Sequence, residues 1–161
     1  QQRTNSFYNR VGFVSLYLRT LVANGKATQA ESYGETFAQT YKNEIFEHRW
    51  HLFYTAYLQT LLKQEKYRKL LTTIRRNKLI QKERTFLGNA GYLPTIQWYH
   101  QVAAYLQAEI NEDSLISHLR QSLEEMNHNP HKKKKLRDLA REVEMHAPDV
   151  INHVNKALMM D

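Results

Sequence analysis

The sequence predicts an all-α protein, a stack of about three antiparallel helical hairpins closed by C-terminal capping helices. Only 3 prolines and 5 glycines interrupt its 161 residues, and turn residues this sparse favour helices over a sheet with many turns. Apolar residues also recur at steps of three and four along most of the chain, which is the period of a helix with one buried face.

Length and composition limit the classes of protein that the chain can belong to. With 161 residues and 42% hydrophobic content, we expect one domain, residues 1–161, around a continuous core. No uncharged apolar run approaches the roughly 18 residues of a spanning helix, so we expect a soluble, cytoplasmic protein. The chain has no cysteine, which excludes disulfides and cysteine-bound zinc. It begins with Gln and shows no signal segment before Phe7, so we expect a fragment of a longer protein.

The first predicted hairpin covers residues 7–47. Its first helix places one apolar stripe along a single face: Phe7, Val11, Val14, Leu18, Leu21 and Val22. Asn24-Gly25 then gives the helix a typical C-terminal stop. Thr28 is the predicted N-cap of the second helix, with Glu31 at the capping-box spacing. Neither Gly nor Pro marks the end of that helix, and we place the break within residues 42–47.

The second predicted hairpin, residues 48–78, consists of two helical patterns that meet across the polar turn Lys63-Gln64-Glu65-Lys66. Neither arm can cover its apolar face alone, so each needs neighbours. The residues predicted to be buried in this hairpin and the next are Leu58, Leu61, Leu70, Leu71, Ile74, Val102 and Leu106. Residues 79–93 are interpreted as a connector that contains a short helix.

The third predicted hairpin covers residues 94–127, and Pro94 suits the first turn of its first helix. Residues 127–135, with Pro130 and four consecutive lysines, are interpreted as a polar loop. The C-terminal cap is assigned to residues 132–161, where Pro148 interrupts one helix and a short terminal helix follows.

The chain aligns with itself in three places. Val14-Tyr17-Leu18-Leu21 matches Tyr54-Tyr57-Leu58-Leu61 and Trp98-Gln101-Val102-Tyr105, and helical pairs that recur in this way are typical of a solenoid. On these residues the chain resembles the tetratricopeptide repeat family. The W-x2-L-G-x2-Y opening of that family is partly matched by Trp98, Val102 and Tyr105, and its glycine and alanine by Gly25 and Ala30. The resemblance implies a scaffold that holds a partner peptide in a concave groove.

Positive charge is concentrated in the middle of the chain. The formal net charge is +7, and residues 63–84 contain nine cations but only Glu65 and Glu83 as acids. The candidate partner-binding residues are Lys69, Arg75, Arg76, Lys78 and Lys82. We expect a protein or peptide partner that is acidic. The alternative is a nucleic-acid-binding protein that uses the same stretch, although no recognised binding motif accompanies the charge.

The sequence shows no catalytic or metal-binding pattern. His48 and His51 lie three residues apart beside Glu47, but no third ligand is tied to them by spacing. No nucleophile with its base, pair of acids or phosphate-binding glycine loop can be assembled. We therefore expect no enzyme, no metal and no cofactor, and a small enzyme with an unrecognised site is the third candidate function. The aromatic residues near the basic stretch, such as Tyr54 and Trp98, are interpreted as core rather than as a base-stacking platform.

Overall fold

A computed structural model describes residues 2–86, 93–126 and 130–148 of the chain. In these three ranges the backbone forms nine α-helices and no β-strand, so the predicted all-α class is confirmed. None of these helices combines the length and the apolar character that a membrane crossing needs. Contacts between residues divide the chain into two compact units, Gln1–Lys66 and Tyr67–Asp161.

The first unit is built around one central helix. Its helices are α1 (Gln2–Ala23), α2 (Ala27–Thr40), α3 (Lys42–Glu47) and α4 (Trp50–Lys63). Helix α4 packs against both α1 and α2, and it buries side chains on most of its circumference, among them Phe53, Leu58 and Leu61. A helix that is apolar nearly all round is stable only when it is surrounded, which explains its central place in this unit.

The turn between α1 and α2 ends the first helix as the sequence predicts. Gly25 has a φ of 74°, in the left-handed region that glycine adopts without steric cost. The amide of Lys26 donates to the carbonyl of Leu21 at 2.8 Å, and that of Gly25 to Val22 at 3.1 Å, which is the Schellman pattern. The predicted capping box is wrong, because α2 already begins at Ala27 and its N-cap position is Lys26.

Helices α2 and α4 of the first unit approach each other closely at Gly34, which has no Cβ atom. A Cβ atom added at Gly34 of α2 would lie 2.6 Å from Cδ1 of Tyr57 on α4. The Tyr57 ring is buried, stacks on Phe53 with ring centroids 6.1 Å apart and donates through its hydroxyl to Glu35 at 3.3 Å. Since this ring is held on several sides, only glycine allows α2 to approach α4 so closely.

The break expected within residues 42–47 is occupied by the short helix α3. The chain then turns at Arg49, which precedes α4 and has a φ of 56°. The Arg49 guanidinium lies 4.1 Å from the centroid of the Tyr8 ring, where the electron-rich ring face attracts a cation. It also fills the space beside Gly12, whose added Cβ would lie 2.5 Å from Nη1 of this arginine.

The second unit is likewise built around one helix. Its described helices are α5 (Tyr67–Arg76), α6 (Leu79–Phe86), α7 (Thr95–Leu106), α8 (Glu112–Met126) and α9 (Pro130–Glu144). Helix α7 packs against each of the other four and buries Ile96, Trp98, Tyr99 and Val102. Helix α9 covers it with Leu136, Leu139, Ala140 and Val143, all of which are buried.

The same turn follows α1, α4 and α7, although after α7 it comes one residue earlier than the internal alignment places it. Glu65 and Ala108 have φ values of 59°, like Gly25 at the first turn. The amide of Lys66 donates to Leu61 at 3.0 Å, and that of Glu109 donates to Ala104 at 2.9 Å. Each first helix of the three aligned segments therefore ends in a Schellman motif, although only one of the three has the expected glycine.

Two details of the second unit differ from the predictions. The predicted polar loop is wrong beyond residue 129, because α9 begins at Pro130 and includes the four lysines. Proline suits a first helical position because the amide hydrogen that it lacks would have no helical partner there.

Of the seven residues predicted to be buried, all but Leu106 are buried, and Leu106 is half-exposed. The predicted terminal helix lies outside the described residues.

Candidate interaction surface

Helix α5 separates apolar from basic side chains. Leu70, Leu71 and Ile74 are buried, and the opposite face is exposed and carries cations, with no acidic residue anywhere in the helix. Lys78 follows in the turn and Arg84 is exposed on α6. We call this set the basic surface, and its exposed members are Arg68, Lys69, Arg75, Arg76, Lys78 and Arg84.

The one acidic residue of α6, Glu83, points away from this surface. Its side chain is fully buried. Oε2 accepts the backbone amide of Ile96 at 2.9 Å, and Oε1 accepts that of Gln97 at 2.9 Å. These two amides belong to the first turn of α7, where backbone donors have no partner within the helix and the helix dipole attracts negative charge. Glu83 thus caps α7, and neither α5 nor α6 carries an acidic residue on its exposed side.

The predicted binding residues Lys82 and Arg75 make contacts within their own unit. Lys82 is half-buried, and its ammonium donates to the carbonyl of Asn77 at 2.7 Å, which ties α6 to the end of α5. Arg75 donates through both terminal nitrogens to Glu109, with Nη1 3.2 Å from Oε1. This two-point pair raises the pKa of Arg75 and lowers that of Glu109. The other three predicted residues, Lys69, Arg76 and Lys78, are exposed.

A histidine lies behind the Arg75–Glu109 pair. Burial and the nearby Arg75 guanidinium lower the pKa of His100 on α7, and His118 on α8 lowers it further, while Glu109 acts in the opposite direction. Within the described part of the chain, no hydrogen-bond partner reaches the buried Nδ1 of His100. Protonation of His100 would place a second cation beside Arg75, so the folded unit favours the neutral ring.

The paired histidines and the aromatic residues of the sequence lie in two different environments. His48 and His51 are half-exposed, and the described ranges contain no group of three His, Asp or Glu side chains placed to hold a metal ion. Trp50, Tyr54, Trp98 and Tyr99 are buried. These rings therefore pack in the core, as predicted, and do not offer a stacking surface for bases.

Helix α8 borders two shallow depressions. Their volumes are about 410 and 510 Å³, and both are lined by polar residues that include Asp113, Ser117 and Gln121. Both are open to solvent, whereas pockets for small molecules are usually enclosed and mostly apolar. The exposed helix faces are therefore better candidates for binding than these depressions.

The cations of this surface follow from the sequence, but the contacts of the acids Glu83 and Glu109 do not. Glu83 and the amides that it caps are 13 and 14 residues apart, and no local motif signals such a pair. Glu109 pairs with Arg75 across 34 residues. Arg68 is one of the nine cations of residues 63–84 but not one of the five predicted binding residues, although its exposure follows from the apolar stripe of α5.

Comparison with known proteins gives no match: no family model, no curated protein and no solved structure is significantly similar to this chain.

Proposed function

We propose that this chain is a protein-interaction module, similar in kind to a tetratricopeptide scaffold, that binds an acidic segment of a partner protein through its basic surface. The observation that supports this most directly is the orientation of Glu83, which is buried while the cations around it are exposed. Clustered like charges repel one another, and an acidic partner laid across them would relieve this repulsion.

The side chains of the basic surface suit carboxylates. Arginine presents a planar fork that can bind a carboxylate at two points, as Arg75 does with Glu109. On the exposed face of α5, Lys69 and Arg76 are seven residues apart, which is two helical turns or about 10 Å. An acidic segment that runs along α5 would meet cations at both ends of the helix.

Nucleic acid is the competing partner, since phosphates would also be attracted. Proteins that bind single strands add aromatic platforms to their basic grooves, whereas Trp98 and Tyr99 of α7 are buried. Salt separates the two partners, because four phosphate contacts imply a loss of affinity of roughly 100-fold between about 50 and 200 mM salt. A protein segment whose carboxylates are separated by uncharged residues carries less charge per unit length than nucleic acid, and its binding is expected to respond less steeply to salt.

The test is a fluorescence anisotropy titration of the 161-residue chain with labelled polyglutamate and with single-stranded and duplex oligonucleotides. The variant Lys69→Glu/Arg76→Glu should weaken polyglutamate binding at least tenfold. The control Lys134→Glu/Lys135→Glu changes net charge equally at two exposed lysines of α9, and it should have a much smaller effect. Equal effects of the two variants, or tighter binding of oligonucleotides with the steep salt dependence, would contradict the proposal.

A further inference from the structure

Helix α1 has a second apolar face that is exposed in the described part of the chain. Its core side buries Val11, Val14 and Leu18. On the exposed side, Phe13 is 67% exposed, Leu16 65% and Tyr17 39%. These residues lie at steps of three and four and therefore form one stripe. The outer face of a helix in a folded domain is normally polar, so this stripe needs an explanation.

Helix α2 extends the stripe into a patch. Tyr33 is 43% exposed, and its ring meets that of Tyr17 edge to face with centroids 5.1 Å apart. Phe13 and Tyr17 are stacked with centroids 6.5 Å apart. We call Phe13, Leu16, Tyr17 and Tyr33 the aromatic patch. Given the usual area of such side chains, it exposes on the order of 400 Å², and contiguous apolar patches of that size on a monomer are often functional.

The charge around the aromatic patch is positive. Helix α1 contains no acidic residue, and Arg10, Arg19 and Lys26 are exposed. The two acids of α2 are already engaged, since buried Glu31 binds Lys66 at 2.7 Å and Glu35 accepts the hydroxyl of Tyr57. An occupant with apolar anchors and acidic flanks would therefore match both the patch and its surroundings.

We infer that the aromatic patch binds an amphipathic helix of a partner protein that carries apolar residues at steps of three and four between acidic ones. The patch spans two neighbouring helices, which is the arrangement that receives a single helix in helix-in-groove recognition. A second copy of the chain fits less well. A stable interface buries about 800 Å² per partner, roughly twice the area of the patch. In a dimer formed through the patch, the cations around it would also face the same cations of the second copy.

This inference goes beyond the basic surface, because the aromatic patch lies in the first unit and the basic surface in the second. The two can be tested independently. The 161-residue chain is used to select from a display library of random peptides about four helical turns long. Selected sequences should combine apolar residues at helical spacing with Glu or Asp between them, and synthetic copies should bind the parent chain.

Three variants identify the surface that the selected peptides use. Phe13→Ser/Leu16→Ser should weaken peptide binding at least tenfold, and because both side chains are exposed its thermal midpoint should remain near that of the parent. Met145→Ser removes another exposed apolar side chain, 76% exposed on the second unit, and should leave binding unchanged. Lys69→Glu/Arg76→Glu should also leave it unchanged, which keeps this result separate from that of the proposed function.

The inference fails if no sequences of this pattern are enriched, or if the enriched peptides bind the Phe13→Ser/Leu16→Ser variant as well as they bind the parent. It also fails if the patch instead mediates another contact. Patch-dependent sedimentation with phosphatidylserine vesicles would indicate a membrane surface. A patch-dependent dimer in light scattering would indicate a second copy.

Discussion

Replacement of Glu83 by glutamine tests the most specific contact in the second unit. The buried carboxylate accepts one backbone amide of α7 on each oxygen, both at 2.9 Å. Glutamine has nearly the same shape but keeps only one acceptor oxygen, and its amide group turns N–H donors toward one of the α7 amides. The variant therefore removes a negative charge from the start of α7 and leaves one buried backbone donor without a partner.

The cost follows from these two losses. A hydrogen bond to a charged group contributes about 1.5–3 kcal/mol, and a buried donor left unpaired costs about 1–3 kcal/mol. Part of this is offset because the buried charge itself costs free energy to desolvate. We expect a net loss of about 2–3 kcal/mol of unfolding free energy, and for a chain of this size that lowers Tm by about 4–12 °C.

Thermal denaturation followed by circular dichroism measures the loss, and amide hydrogen exchange localises it. Exchange should accelerate at Ile96 and Gln97, since amides in a first helical turn are protected only when something outside the helix binds them. The matched control is Glu124→Gln, an exposed acid on α8, which should melt close to the parent. If Glu83→Gln melted with that control and left both amides protected, the assignment of Glu83 as the cap of α7 would be refuted.

Three further changes test the packing, the turns and the titration of the fold. Gly34→Ala should lower the unfolding free energy by about 1–2 kcal/mol despite the better helix propensity of alanine. Gly12→Ala, where only the end of a flexible arginine must move, should change the unfolding free energy by less than about 1 kcal/mol. Urea denaturation measures both variants, and equal effects would contradict the close approach of α2 to α4. Glu65→Gly and Ala108→Gly should each raise the unfolding free energy by about 1 kcal/mol, because both positions have a left-handed backbone conformation. A decrease in the unfolding free energy of either variant would argue against the turn geometry. The parent should lose stability as pH falls below about 6.5, because the pKa of His100 is lowered in the folded state and the unfolded chain therefore binds more protons. Urea denaturation at a series of pH values measures this loss, and His100→Gln should make the unfolding free energy depend less on pH. An unchanged dependence in that variant would show that His100 does not cause it.

The helices were predictable because their signal is local. The apolar stripe of α4 follows from side-chain spacing alone, and Gly25 marks a turn because only glycine adopts a left-handed conformation without cost. The same conformation at Glu65 and Ala108 was not predictable from residue type. There the hydrogen bonds and packing of the turn hold a residue in a conformation that it would avoid in isolation.

The basic surface was predictable in composition but not in arrangement. Steps of three and four show which cations of α5 face away from its apolar stripe. The sequence could not show that Glu83 is buried, since an acid next to Lys82 and Arg84 looks like a partner for them. The packing of α6 on α7 brings the Glu83 carboxylate to the amides of Ile96 and Gln97, which are 13 and 14 residues away in sequence. The distinction matters because an exposed Glu83 would neutralise part of the surface.

Helix α5 offers a way to separate folding from binding. Arg75 and Arg76 lie in its last turn, where the helix dipole favours cations, so stability alone explains their presence. Arg68 lies in the first turn, where the same dipole opposes a cation. The dipole therefore does not account for this residue, whereas the proposed binding of an acidic segment would.

The variant Arg68→Glu should consequently have opposite effects on the two properties. It places a negative charge at the start of α5, and we expect an increase of about 0.5–1 kcal/mol in unfolding free energy at low salt. It also reverses one charge of the basic surface, so polyglutamate affinity should fall several-fold. Urea denaturation and anisotropy titration measure the two on the same sample. A variant that gained stability and still bound polyglutamate as the parent does would show that the first turn of α5 has no part in binding, whereas a loss of both would mean that Arg68 stabilises the fold.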